Sequence, residues 1–142
     1  MNPWSILFCY ILLFLIILIT GIISIVLIIK RKKKNQSRKP PVTLLVISNL
    51  FLLMLILFIA SHPTYYKYND WAILDSNINM VQQKYGDFDL GEVTKNKAGT
   101  VAYYIYTDNG PIMPDHLKHY YYIEYDEWGV VSKVYETVQP GG

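Results

Sequence analysis

The residue types best suited to chemistry stand together in one segment, Asp115-His116-Leu117-Lys118-His119. Two imidazoles three positions apart share one face of a helical turn, and Asp115 would supply a third ligand to a zinc-like ion. The surroundings work against that reading. Pro114 precedes the group, a strand pattern follows it, and no fourth ligand stands nearby. We therefore expect a surface loop and no metal, with Asp115, His116 and His119 as weak candidates. His62 lies just beyond the second apolar run, at the expected membrane edge. The single cysteine, Cys9, lies in an apolar run, which excludes an intramolecular disulfide and a cysteine nucleophile. Asp87, Asp89, Glu92, Glu124, Asp126 and Glu127 are scattered over turns and loops, and no glycine-rich phosphate loop is present. The chain reads as a non-enzyme with no cofactor.

The elements that must position these residues divide the 142-residue chain in two. No charge occurs before Lys30, and residues 4 to 29 are almost wholly apolar. A second uncharged run spans residues 42 to 61. Each meets the requirement of about 20 apolar residues for a helix crossing about 30 Å of hydrocarbon. The first run lacks a basic start and a small-residue cleavage site, so it reads as a retained anchor helix and not a cleaved signal.

Charge orients the pair. Seven basic residues, from Lys30 to Lys39, lie in the short connector 30–41, and residues 1–61 carry net +7. All eleven acids lie beyond Ser61 with only six lysines, a net charge of −5. Short loops rich in Lys and Arg stay cytoplasmic. The expected arrangement is a two-helix transmembrane hairpin over 1–61 in the cell membrane, with both termini extracytoplasmic. The connector is also placed to attract anionic lipid head groups. It lacks the interleaved aromatics of a nucleic-acid site. Between the helices, we expect Asn49 to meet Thr20, Gly21 and Ser24, since small residues admit close approach and amides bond across the contact. Trp4 and the cluster Tyr65, Tyr66 and Tyr68 are expected as an interfacial aromatic belt.

Residues 62–72 read as an interfacial linker, broken from the helix by Pro63. Residues 73–142 read as a small α+β domain with one short helix on a three-stranded antiparallel sheet. In "DSNINMVQQKYG", Asp75 or Ser76 is the expected N-cap, Ile78, Val81 and Tyr85 form the apolar stripe, and Gly86 ends the helix. "GTVAYYIYT", "HYYYIEY" and "VVSKVYETV" have strand composition. Asp126-Glu127-Trp128-Gly129 has the residues of a type I turn, with Tyr125 expected opposite Val130. That register puts Tyr121, Ile123, Tyr125, Val130, Ser132 and Val134 toward the helix. It puts Tyr120, Tyr122, Glu124, Val131, Lys133 and Tyr135 outside. The long loop 107–119, stiffened by Pro111 and Pro114, has the length of a functional loop.

"INMVQQKYG", "VAYYIYT", "YYYIEYDEWGVV" and "SKVYE" together resemble the extracytoplasmic modules of the SmpA/BamE and β-lactamase-inhibitor-protein type. Those carry a helix ending in a Tyr-Gly or Leu-Gly step before a three-stranded sheet. The chain departs from them in lacking a second helix before the sheet and in having two spans in place of a lipid anchor. "YIYTDNGPIMPDHLKHYYYIEYDEWGVV" is also similar to small surface-exposed proteins of Gram-positive bacteria. The resemblance implies a binding or scaffolding module. The expected role is presentation of that module to an extracytoplasmic protein through Tyr120, Tyr122, Lys133, Tyr135, Ile112 and His116. A membrane-anchored inhibitor or immunity protein is one alternative, and a metal-binding sensor or enzyme using His116 and His119 is another.

Protease added to intact cells should digest residues 62–142 and spare the connector, and digestion only after permeabilisation would reverse the topology.

Overall fold

The computed structural model describes residues 3–110 and 113–139. Two long helices come first, α1 (Pro3–Lys33) and α2 (Lys39–Ser61), of 31 and 23 residues. Both are long and apolar enough to cross a membrane. Straight-chain and branched aliphatic residues fill them, and proline is confined to the first turn of each, where its missing N–H costs no helical bond. The chain separates into two compact units, one of residues 5–59 and one built mainly from residues 60–142.

In the helical unit the covered positions on α2 are Pro41, Leu45, Ser48, Leu52 and Leu55, spaced four and three apart in turn. On α1 they include Ile17, Gly21, Ser24 and Ile28. This is the spacing of a helix–helix seam. At its centre Ser24 is fully buried and Ser48 is 7% exposed. A Cβ placed on Gly21 would lie 3.5 Å from Ser48 Oγ. Thr20 and Ser24 turn their hydroxyls back along α1, donating to Ile16 O and Thr20 O respectively, each at 2.8 Å. The expected partner of this patch was Asn49. The structure puts Ser48 there and leaves Asn49 exposed. One residue is a rotation of about 100° on a helix, enough to move a side chain off the seam.

In the second unit the chain does not run as a linker after α2. Tyr65 and Tyr68 are 7% and 1% exposed, so they serve the core of this unit where an aromatic belt was expected. A tight reversal bonds Tyr68 N to Tyr65 O. The one-turn helix α3 (Asp70–Ile73) follows, capped by Asn69, whose side chain accepts from Ala72 N. The helix α4 (Ile78–Tyr85) follows, capped by Asn77. The cap is neither Asp75 nor Ser76. Asp75 instead donates its N–H to Val131 O, and an isolated bridge pairs Asn77 with Val130. That bridge holds Asn77 extended, and the helix begins after it. Gly86 ends α4 at φ +96°, with its N–H on Gln82 O. Ile78 and Val81 are buried, as the stripe requires.

Three antiparallel strands follow, β1 (Gly99–Thr107), β2 (Lys118–Tyr125) and β3 (Val131–Val138), in the order β1-β2-β3. Tyr125 pairs with Val131, not Val130, and the register shifts between Glu124 and Tyr125. The turn explains the offset. Asp126 N bonds Val130 O, and Gly129 adopts φ +78°, making a three-residue loop that adds one residue to the return strand. Val131 is thereby fully buried instead of facing out. Ser132, expected toward the helix, falls at the shift and is exposed. Beyond it Glu124 lies opposite Lys133 and Tyr122 opposite Tyr135, so Lys133 does not face Tyr122 as the expected register requires. Backbone bonds from Asp89 and Leu90 to Ala102 cover the outer edge of β1.

The core is aromatic. The Tyr68 ring lies 5.1 Å from Tyr103, 4.6 Å from Tyr121 and 5.2 Å from Tyr85, centroid to centroid. Such pairs add roughly 0.5–1.5 kcal/mol each to the burial of the rings. One carboxylate penetrates this cluster. Asp70 is 2% exposed and accepts from Tyr121 Oη at 2.7 Å, from Thr64 N at 3.1 Å and from the Thr64 hydroxyl. Burial, and then the bond to Asp70, hold the Tyr121 phenol far above the usual tyrosine range. Asp70→Ala should lower stability by about 2–4 kcal/mol, because it removes three accepted bonds and strands a buried hydroxyl. Tyr121→Phe should cost less. Thermal unfolding of the detergent-solubilised chain, followed by near-ultraviolet circular dichroism, checks both.

Candidate functional site

Three features of the second unit carry chemistry. The first surrounds the expected histidines. β1 and β2 leave a loop that is tied at its base by Asp108, whose N–H donates to Leu117 O and whose carbonyl accepts from His116 N. Asp108 carboxylate oxygens also accept from Gly110 N at 3.0 Å and Asp115 N at 3.4 Å. His116 takes φ +58° and turns its Nδ1 to Asn109 Oδ1, 3.0 Å away. His119, on β2, turns the opposite way. Its Nε2 lies 3.2 Å from Asp115 Oδ2 and its Nδ1 lies 3.0 Å from Glu136 Oε1 on β3. The Tyr106 ring stacks on the imidazole at 4.5 Å and 9°, and its hydroxyl donates to the same Glu136 oxygen. Burial and this bond raise the Tyr106 phenol above its usual range.

Asp115 and His119 therefore meet, as the sequence suggested, but His116 does not join them. The two carboxylates on His119 sit on opposite ring nitrogens, so they cannot converge with it on one ion. No group of three or more metal-ligating side chains occurs among the described residues. The arrangement is a clasp. Carboxylates only accept, so both bonds form together only when each ring nitrogen carries a proton. It joins the loop, β2 and the end of β3, and Glu136 is the member that spacing alone did not supply.

The second feature is the sheet face away from the aromatic core. Tyr104, Tyr120, Tyr122 and Tyr135 form a continuous file across the three strands. Ring centroids are 5.7, 6.2 and 5.6 Å apart in that order, and Tyr122 and Tyr135 are parallel within 9°. Lys133 Nζ lies 4.7 Å over the Tyr135 ring. Partial burial, and for Tyr135 also a bond to Glu124, raises the phenols of Tyr122 and Tyr135. Of the expected contact residues, Tyr122, Lys133 and Tyr135 reach the surface, whereas Tyr120 is 6% exposed and forms the floor of the file. His116 is exposed on the loop. Ile112 lies outside the described residues.

The third feature is one that sequence reading missed. A groove of about 670 Å³ runs between α4, residues 87–96 and the β2–β3 turn. Phe88 and Trp128 line it together with Gln82, Asp87, Glu92 and Glu127. Gln82 Nε2 donates to Asp87 Oδ1 at 3.0 Å. Trp128, at the tip of the turn, is 74% exposed. The one available signal was this tryptophan in a turn position where a polar residue is usual. Its partners come from segments more than thirty residues away, which no local pattern links.

No protein-family model, curated protein or solved structure matches the chain.

The clasp has a defined acid response. The Leu117 N–H, and then His119, hold the Asp115 carboxyl below its usual range. A carboxylate depressed in the folded state favours folding above its unfolded value, near pH 3.9, and the contribution is lost as pH falls through the lowered folded value. Asp115→Asn should therefore flatten the part of the stability profile between those two values and lower the unfolding temperature slightly at neutral pH, where the carboxylate contribution is fully present. Unfolding temperature against pH for both proteins measures this.

Proposed function

We propose that the chain is an integral membrane protein that presents a small, non-catalytic binding module outside the cytoplasm. α1 and α2 form the two spans, the basic connector 30–41 stays in the cytoplasm near anionic lipid, and both termini lie outside. The partner is an extracytoplasmic protein. The observation that carries this reading is the file Tyr104–Tyr120–Tyr122–Tyr135 on the open sheet face. Large, ordered rings with polar tips bind at low entropic cost and recur at the energetic centres of interfaces. Lys133 and Glu124 beside the rings supply one charge of each sign, which suits register and selectivity more than raw affinity. The groove at Trp128 offers a second aromatic anchor on the same unit.

Tyr122→Ser combined with Tyr135→Ser should abolish capture of the partner by the detergent-solubilised full chain, with circular dichroism unchanged. Trp128→Ala reports on the groove. Loss of capture with Trp128→Ala alone moves the binding surface there, and capture insensitive to all three removes the basis for the reading.

A further inference from the structure

The hairpin seam leaves one polar group without a place. Asn49 is the eleventh of the 23 residues of α2, so it lies roughly 15 Å from either end of the helix. It is exposed. Its Nδ2 donates to Leu45 O at 2.8 Å. Its Oδ1 accepts no hydrogen bond among the described residues, and one Nδ2–H has no acceptor. At the surface of a soluble protein water would fill both positions. At mid-span in hydrocarbon nothing does, and an unsatisfied polar group there is costly. α1 offers no remedy, because Ser48 and not Asn49 faces it.

The residues around Asn49 show what supplies the missing bonds. Val42, Val46, Leu53 and Ile56 fall on the same side of α2, at steps of four, three, four and three through Asn49. All four are exposed, at 43%, 53%, 52% and 54%. That is a second seven-residue seam, apolar and largely β-branched, with one amide at its centre. It lies about 100° around the helix from the seam that meets α1. The two contacts use different faces and do not compete. A single amide in such a seam fixes register and copy number in helix pairs.

We infer that α2 pairs with α2 of a second copy of this chain, in parallel, with the two Asn49 amides on the two-fold axis. The occupant follows from complementarity. A carboxamide offers one acceptor and one spare donor, and an identical carboxamide at equal depth answers both. Each Nδ2–H donates to the other copy's Oδ1 while keeping its bond to Leu45 O. Two copies inserted the same way place Asn49 at the same depth without further adjustment. This inference rests on the two-span reading and adds an assembly to it.

The test uses the full chain in native membranes, with Cys9→Ser to remove the only native thiol. Single cysteines at Val46→Cys and Leu53→Cys should give disulfide-linked product at twice the monomer mass. Ile47→Cys and Phe51→Cys, on other faces, should not. Asn49→Val, which keeps the helix apolar, should weaken self-association in micelles on the order of tenfold, as expected for losing interhelical amide bonds. Asn49→Gln should restore part of it. Chain retained after alkaline carbonate extraction but crosslinking equally at all four positions, or unaffected by Asn49→Val, overturns the dimer alone. Release by carbonate overturns the two-span reading and the dimer together.

Discussion

The unit built mainly from residues 60–142 depends on one buried carboxylate. Asp70 accepts from Tyr121 on the central strand and from Thr64 just past the end of α2. Burying a charge is unfavourable unless its hydrogen-bonding sites are filled, and here the partners come from two segments 51 residues apart in one case and six in the other. The segment between Ser61 and α4 is therefore fixed to the sheet by bonds that form only in one arrangement. Tyr68, held by the same segment, then lands among Tyr85, Tyr103 and Tyr121.

This accounts for the abundance of tyrosine. A core of phenylalanine would give similar ring packing but would leave the carbonyls and carboxylates at its edge without donors. The hydroxyls of Tyr65, Tyr103 and Tyr121 reach Ile105 O, Gly86 O and Asp70 respectively. Each ring packs inside while its tip closes a backbone or side-chain acceptor. On the opposite face Tyr104 is exposed and Tyr122 and Tyr135 are partly exposed. One residue type thus builds the core on one side of the sheet and an aromatic file on the other.

Much of the architecture was legible in the chain. The helix lengths follow from uninterrupted apolar runs, and the three strands from their β-branched and aromatic runs, with bounds within a residue or so of those observed. Gly86 and the Asp126–Gly129 turn were readable because left-handed backbone strongly favours glycine. The candidate sites were less so. Asp115 and His119 meet, but Glu136 reaches His119 only through the β2–β3 pairing. The groove at Trp128 is assembled from α4, a loop and a turn.

Sequence by itself determined the element types, the division into an apolar helical part and a polar α+β part, and the separation of charge between them. These follow from local composition and period, which need no knowledge of neighbours. Tertiary structure decided which residues face which. Ser48 took the seam in place of Asn49, Val131 went inside, and Tyr65 and Tyr68 joined the core. Each is a shift of one residue or one segment, too small to alter any local pattern. On a helix or strand, such a shift redirects a side chain by 100° or to the other face, and only the packing partner selects among the alternatives.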